Sequence, residues 1–161
     1  MDPHHLEKLN ELCTFLDQAG ARYAILQHIQ ALTSPEDGVS AGLGDLADMA
    51  PAFILKTERG FIVAVIRGDR RISYKKIKKV LGLKDVSLAS PDRVKQLTGA
   101  EAGTVSPVNP GLPTILDACL LERKDVYGGC GVPLHTLKIR VEDMVAVTGA
   151  HVFDFTEEKP A

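Results

Sequence analysis

The sequence predicts an α+β or mixed α/β fold, with a central, mixed and largely antiparallel sheet flanked by helices. Three observations favour this class. Apolar, β-branched runs are interspersed with segments of helical periodicity. The two kinds of segment do not alternate strictly, as a doubly wound sheet would require, and two adjacent central runs predict an antiparallel hairpin. The 161 residues contain no linker, repeat or low-complexity segment, so we expect a single domain over 1–161.

The amino-terminal part predicts a helix, a strand and a short second helix. Four residues of "HHLEKLNELCTFLDQAG" fall on one helical face: Leu6, Leu9, Cys13 and Leu16. The apolar run "RYAILQH" predicts a strand that ends at His28. Ser34 is placed to cap a helix that begins at Pro35, and glycines at 38, 42 and 44 keep that helix short or irregular.

The centre of the chain predicts the hairpin and two capped helices. The runs "AFILKT" and "FIVAVIRG" are separated by three residues ending in Gly60, which indicates two core strands. Ser73 caps "YKKIKKVLG", and Gly82 closes it. Its expected buried stripe is Ile77, Val80 and Leu81. A second capped helix begins with "SPDRVKQLTG", where Ser is again followed by Pro.

The carboxyl-terminal part predicts three strands and one helix. "TILDACLL" and "LHTLKIR" are strand candidates, "RVEDMVAVTGA" is a helix, and "HVFDF" is a last strand. We therefore expect strands on both sides of this helix, which agrees with a mixed sheet.

Composition limits the function. Hydrophobic residues make up 45% and charged residues 25%, as in globular domains. A formal net charge of -2 argues against nucleic-acid binding over the whole surface but leaves a local basic patch open. Three distant cysteines without C-x-x-C, and histidines without metal spacing, indicate no disulfide framework or metal site. No apolar run approaches the roughly 20 residues of a membrane span, so we expect a cytoplasmic protein without membrane association, metal or cofactor.

Lys56 lies near the end of the apolar run "AFILKT". Lysine is almost never fully buried unless it is paired. Its side chain therefore either reaches solvent from the strand end or faces a cavity. In the second case its cation would point at an anionic or carbonyl group of a ligand.

A basic stretch extends from Arg67 to Lys84. It contains eight of the 19 basic residues of the chain, and Asp69 is the one acidic residue within it. It is either a solvated helix face or a patch that contacts phosphates. The usual RNA-binding aromatic residues are missing, so we expect contacts with backbone rather than bases. The candidate residues are Arg70, Arg71, Lys75, Lys76 and Lys79.

A stiff, nearly uncharged run, "LTGAEAGTVSPVNPG", separates the two patterned halves of the chain. Gly103 and Pro107 bracket its centre, and the run is either a long turn or a wall that presents backbone amides to a ligand. A second Gly-rich segment, "YGGCGVP", contains Cys130, which is better explained as a packed thiol than as a nucleophile. Ser106 lacks the flanking glycines of a nucleophile elbow.

Taken in order, these features resemble the YbaK / prolyl-tRNA synthetase insertion-domain family of aminoacyl-tRNA deacylases, over about residues 23–150. The resemblance rests on His28 and Thr33 before a short helix, "AFILKT", "GDRRISYKKIKKVLG", "LTGAEAGTVSP" with a G-x-x-x-P motif, "TILDACLL" with Asp117, "GGCG" and "VEDMVAVTGA". The order and spacing of these motifs are more specific than any one of them.

The resemblance implies a mixed-sheet domain that hydrolyses the ester of mischarged tRNA, typically tRNA(Pro) carrying Cys or Ala. A synthetase that cannot reject small mimics by binding alone needs such an editing site. Carried over residue by residue, Lys56 and Gly103 belong to the reaction centre. The implied substrate-binding residues are His28, Thr33, Ser106, Pro107, Asp117, Gly128, Gly129 and Gly131. The implied partners are the acceptor end of mischarged tRNA, which the basic stretch would hold, and prolyl-tRNA synthetase.

The attacking group, the function and the amino acid removed each have alternatives. Without a convincing Ser/His/Asp or Cys/His set, the attacking group would be water, a ribose hydroxyl of the tRNA or the thiol of a cysteinyl substrate. The chain could also be a non-catalytic module that binds tRNA or a synthetase, or an unrelated small-molecule-binding domain. "GGCGVPLHT" lacks the basic residue that many relatives have after these glycines, which leaves Ala, Cys, Ser and Thr open as the amino acid removed.

Overall fold

The computed structural model describes residues 2–160, which form five α-helices and ten strands. The helices are α1 Pro3–Gln18, α2 Pro35–Ser40, α3 Tyr74–Leu81, α4 Pro91–Thr98 and α5 Val141–Thr148. The strands are β1 Tyr23–Gln27, β2 Ala52–Thr57, β3 Gly60–Val65, β4 Arg70–Ile72, β5 Val86–Leu88, β6 Thr114–Asp117, β7 Asp125–Gly128, β8 His135–Arg140, β9 His151–Phe153 and β10 Thr156–Glu158. Two short 3₁₀ turns cover Leu46–Asp48 and Ala118–Glu122.

The predicted class is confirmed: a central mixed sheet is flanked by helices. Its five strands have the order β5-β2-β3-β6-β9, in which β2 pairs antiparallel with β3 and β5, and β6 pairs parallel with β3 and β9. Two smaller antiparallel sheets accompany it, β1-β8-β7 and β10-β4. The Ala50 N–H donates to the Tyr127 carbonyl (2.7 Å), which attaches the three-stranded sheet beside the start of β2.

Apolar side chains on the two faces of the central sheet form two cores. Along β2, Ile54 belongs to one core and its neighbour Leu55 to the other, as the period of two requires. The larger core includes residues of α1, α4, α5 and β8, and the smaller one is centred on Ile77 of α3 and on Phe155.

The predicted helix caps are confirmed. The side chains of Ser34, Ser73 and Ser90 each accept a hydrogen bond from the amide three residues later. Helices α3 and α4 end at Gly82 and Gly99, which have left-handed backbone conformations.

Three local predictions are wrong. Leu6 and Val80 are about half exposed, because the buried stripe of α1 passes through Leu12 and Leu16, and that of α3 is centred on Ile77. The strand predicted for "TILDACLL" ends at Asp117, whose carboxylate accepts from the Cys119 amide and starts a 3₁₀ turn. Strands β4, β5, β7 and β10, which have three or four residues each, were not predicted. Among residues 2–160, no helix is long and apolar enough to cross a membrane.

Candidate active site

A cavity of about 290 Å³ lies between the start of β2, the loop before α2, the Gly/Pro run and the end of β7. Its lining includes Thr33, Ser34 and Pro35 before or in α2, Met49, Ala52 and Phe53 at β2, Gly103, Thr104 and Val105 in the Gly/Pro run, and Tyr127, Gly128, Gly129, His135 and Thr136 around β7 and β8. None of the lysine, arginine, aspartate or glutamate residues between positions 2 and 160 lines it. The cavity is therefore suited to an uncharged or weakly polar group.

The Gly/Pro run is a wall of this cavity and not only a turn. Gly103 has φ +89°, and a Cβ added there would lie 2.5 Å from the Thr33 carbonyl oxygen. A Cβ added to Gly129 would lie 2.4 Å from the Thr104 carbonyl oxygen, which in turn accepts from the Gly131 amide at 2.8 Å. Glycine is needed at both positions, because the three segments pack backbone to backbone.

Three amides along this wall lack an acceptor. Within the part of the chain that the structure describes, the N–H groups of Gly103, Val105 and Gly129 donate to no backbone or side-chain group. Val105 is buried, with 5% of its surface exposed. Buried backbone donors are almost always paired, so the unpaired Val105 amide beside a cavity is suited to a ligand oxygen. Gly103 is exposed and Gly129 is half-buried, so their amides are open to a ligand from the cavity side or to solvent.

Thr136 and His28 form a polar contact at the edge of the cavity. The Thr136 hydroxyl lies 2.8 Å from the His28 ring nitrogen Nε2, and the His28 amide donates to the Leu134 carbonyl at 2.7 Å. Thr136 is buried and lines the cavity, so His28 reaches the site through it. Because the two residues lie 108 positions apart in the chain, no local pattern predicts this contact.

The structure brings four of the predicted substrate-binding or catalytic residues to the cavity: Thr33, Gly103, Gly128 and Gly129. Ser106 and Gly131 instead line a second cavity on the other side of the wall, next to α1. The buried Ser106 hydroxyl accepts from the Val108 amide at 3.0 Å, so it stabilises the run itself. Pro107 supports the wall from behind, because a Cβ on Gly128 would meet its ring at 2.9 Å.

Asp117 is a structural residue, contrary to the prediction that it binds substrate. It is 1% exposed, and its two carboxylate oxygens accept from the amides of Phe155 (2.9 Å) and Cys119 (3.2 Å). These bonds connect β6 to the chain after β9 and leave the carboxylate away from the cavity lining.

Lys56 does not lie in the cavity, which corrects the expectation that it faces the reaction centre. It is exposed, opposite Phe61 and Ser87 on the neighbouring strands. Ala52, which does line the cavity, lies four residues earlier on the same face of β2, a separation of about 13 Å at about 3.3 Å per residue. The first alternative, a strand-end lysine that reaches solvent, is the one that the structure shows.

Three of the five predicted tRNA-binding residues contact other residues of the protein. Arg70 donates to Thr156, Arg71 pairs with Glu157, and Lys76 pairs with Asp154. These contacts fasten β10 and the segment before it to β4 and α3. Lys75 and Lys79 are exposed, and neither makes an ion pair with any residue from 2 to 160.

Cys119 and Cys130 are poorly suited to nucleophilic attack. Burial raises the pKa of the Cys130 thiol to about 11, and burial together with Asp117 raises that of Cys119 to about 12. Both thiols are therefore protonated near neutral pH. Over residues 2–160, no group of three or more His, Cys, Asp or Glu is placed to hold a metal ion.

Comparison with known proteins bears on this cavity. A family model described as an aminoacyl-tRNA editing domain matches residues 30–147, which include every segment of the cavity wall. The chain belongs to the aminoacyl-tRNA editing domain family. The resemblance inferred from the motifs is thereby confirmed.

Relatives of this editing domain include much longer proteins. The proline–tRNA ligase of Nitratidesulfovibrio vulgaris (strain DP4) is 41% identical over 71 residues, which is 44% of this chain and 12% of the ligase. The chain spans between 10% and 20% of the length of the curated proline–tRNA ligases that it matches.

Two crystal structures share the fold over nearly the whole domain. One is a candidate trans-editing enzyme for prolyl-tRNA synthetase, with 23% identity, a TM-score of 0.84, and coverage of 98% of this chain and 99% of that one. The other is a hypothetical protein with 27% identity, a TM-score of 0.82, and coverage of 91% and 99%.

Proposed function

We propose that this editing domain is a trans-acting aminoacyl-tRNA deacylase that hydrolyses the ester of mischarged tRNA, with tRNA(Pro) carrying Cys or Ala as its substrate. The observation that carries the proposal is the set of unpaired amides of Gly103, Val105 and Gly129 on the wall of an uncharged cavity. Membership of the editing family and the ligase relatives support the same substrate class.

The cavity would hold the amino acid at the end of the tRNA. Met49 and Phe53 supply apolar surface, and Thr33 and Thr136 supply hydroxyls. A volume of about 290 Å³ is at the small end for ligand sites. Small side chains such as those of Ala and Cys are the ones that a synthetase discriminates poorly by binding alone.

The unpaired amides would stabilise the charge that develops during ester hydrolysis. As the carbonyl carbon becomes tetrahedral, its oxygen gains negative charge, and preorganised N–H donors stabilise it. Mutagenesis of such donors in other enzymes shows effects of about 10²–10³ in kcat for each donor. Backbone donors at Gly103 and Gly129 are fixed by the close packing of the wall and need no reorganisation.

The attacking group in this mechanism is water or a group of the substrate. Cys130 and Cys119 are protonated near neutral pH, and Ser106 is bonded within its own turn. Thr136 lies within reach of His28, but no group of the described chain orients the other ring nitrogen of that histidine, as a catalytic triad would require. We assign His28 and Thr136 the role of shaping the cavity edge.

The tRNA would be held in part by Lys75 and Lys79, the two predicted tRNA-binding residues that make no ion pair within residues 2–160. Arg70, Arg71 and Lys76 instead hold the carboxyl-terminal segment in place. A prolyl-tRNA synthetase that releases the mischarged tRNA is the partner that this proposal requires.

A panel of aminoacylated tRNAs tests the proposal. Ala-, Cys-, Ser- and Thr-tRNA(Pro) are incubated with the domain, correctly charged Pro-tRNA(Pro) serves as the control, and release of labelled amino acid is measured. We expect faster release than in buffer from at least one small mischarged substrate. Tight binding of the tRNAs without any release would instead identify a non-catalytic binding module.

A further inference from the structure

We infer that His135 is the general base that activates the attacking group, an assignment that rests on the proposed deacylase function. Ester hydrolysis near neutral pH is accelerated when a positioned group accepts the proton of the nucleophile. Within residues 2–160, His135 is the one cavity-lining residue whose side chain has a basic ring nitrogen that can accept a proton from a nucleophile.

The tautomer of His135 is fixed by its own turn. Its Nδ1 lies 2.9 Å from the Pro133 carbonyl oxygen, which can only accept a hydrogen bond. In the neutral ring Nδ1 therefore carries the proton, and Nε2 keeps the lone pair that a base needs. A backbone carbonyl on Nδ1 is the orienting contact that histidine bases require.

The backbone before His135 is held in an unusual conformation. Leu134 has φ +65° and is the one non-glycine residue with a positive φ in the range 2–160. This strained turn is fixed to β1, because the Leu134 carbonyl accepts from the His28 amide at 2.7 Å. Strain of this kind persists only where neighbouring structure enforces it, and it is concentrated at functional sites. Here it turns the chain so that His135 and Thr136, at the start of β8, meet the cavity.

The chemical step is balanced without any further reactant. Nε2 of His135 accepts a proton from a water molecule while the oxygen of that water bonds to the ester carbon. The carbonyl oxygen of the ester then accepts hydrogen bonds from the amides of Gly103 and Gly129. The tetrahedral intermediate then breaks its bond to the ribose oxygen, and the proton on Nε2 passes to that leaving oxygen. The products are the free amino acid and the intact tRNA, and His135 returns to its neutral form.

Other charged or titratable groups lie at the cavity or contact residues that line it. Tyr127 shares the cavity, and the Lys138 ammonium lies 5.9 Å from the centre of the Tyr127 ring. His28 reaches the cavity through Thr136. Asp37 accepts from the amide and hydroxyl of Thr33, and these bonds lower the pKa of its carboxyl group.

The experiment measures kcat, KM and the pH profile of deacylation for wild-type protein, His135→Asn and His135→Ala. Asparagine retains a donor for the Pro133 carbonyl but has no Nε2 base. We expect kcat to fall by about 10²–10⁴-fold with little change in KM, and the acid limb of the profile to disappear. Added imidazole should restore part of the activity of His135→Ala, which a purely structural role would not explain. The matched control is His151→Asn, an exposed histidine on β9 outside the cavity.

The outcomes distinguish a failure of the proposed function from a failure of the role assigned to His135. If wild-type protein deacylates no tRNA of the panel, the proposed function fails. If the wild type is active and His135→Asn keeps its kcat and its acid limb, the inference about His135 fails alone, and water would be activated by the substrate itself. Should His135→Asn fail to fold, as judged by its thermal unfolding, His135→Gln takes its place in the same comparison.

Discussion

Replacement of Gly103 by alanine tests whether the Gly/Pro run is a working wall. The new Cβ would lie 2.5 Å from the Thr33 carbonyl oxygen, about 0.9 Å short of the 3.4 Å at which ordinary contact begins. Because the obstacle is backbone, no side chain can rotate out of the way. The Gly103 segment and the loop that carries Thr33 must therefore move apart, and both line the cavity.

The expected effect is larger on catalysis than on stability. An L-residue at positive φ costs about 1–2 kcal/mol, which lowers the melting temperature of a domain of this size by about 2–8 °C. The exposed loop at Thr33 can relax, which limits the further loss of stability. A misplacement of about 1 Å at a reaction centre costs about 10²-fold in rate, so we expect kcat/KM to fall by about that factor.

Gly111→Ala is the matched control. Gly111 lies in the same run with nearly the same φ (+91°), but a Cβ there meets nothing within 4 Å. Deacylation kinetics and thermal unfolding of both variants separate backbone strain from displacement of the wall. A kcat/KM of Gly103→Ala within about threefold of that of Gly111→Ala would show that the Gly/Pro run is not a working wall.

Three other expectations follow from the positions of charged and sulfur-containing side chains. Lys56→Ala should retain kcat within about threefold in the deacylation assay, because Lys56 lies outside the cavity. A loss of 30-fold or more would show that Lys56 takes part in the reaction. Replacing Lys75 and Lys79 by Gln should reduce the slope of log K against log salt for tRNA binding by about one per lysine. Lys76→Gln should leave that slope nearly unchanged, because the charge of Lys76 is paired with Asp154. Equal slopes for all variants would show that Lys75 and Lys79 do not contact the tRNA. Cys130→Ala should keep its kcat, since a thiol with a pKa of about 11 supplies almost no thiolate, and loss of turnover in a folded variant would contradict this.

The sequence predicted those parts of the fold that have local causes. Ser73 and Gly82 define α3 because capping and left-handed termination depend on neighbouring residues alone. Val80 was predicted to be buried because helical periodicity places it beside Ile77, but periodicity does not say how wide the stripe covered by the sheet is. Asp117 was mistaken for a site residue because its bond to the Phe155 amide joins segments 38 residues apart.

Gly103 and Gly129, two of the predicted site residues, lie where the structure has close backbone contacts. Lys56 was misplaced because a motif identifies a strand lysine but does not say which end of the strand meets the cavity. Thr136 and His135 carry no local signal, since the cavity edge forms only when β8 pairs with β1 and β7.

The most direct test of the account is the single-turnover rate of amino-acid release from Ala- and Cys-tRNA(Pro), measured beside Pro-tRNA(Pro) with wild-type protein in excess. We expect release from at least one of the two mischarged substrates at least tenfold faster than in buffer, with Pro-tRNA(Pro) left intact. Survival of both mischarged esters at the rate seen in buffer would contradict it.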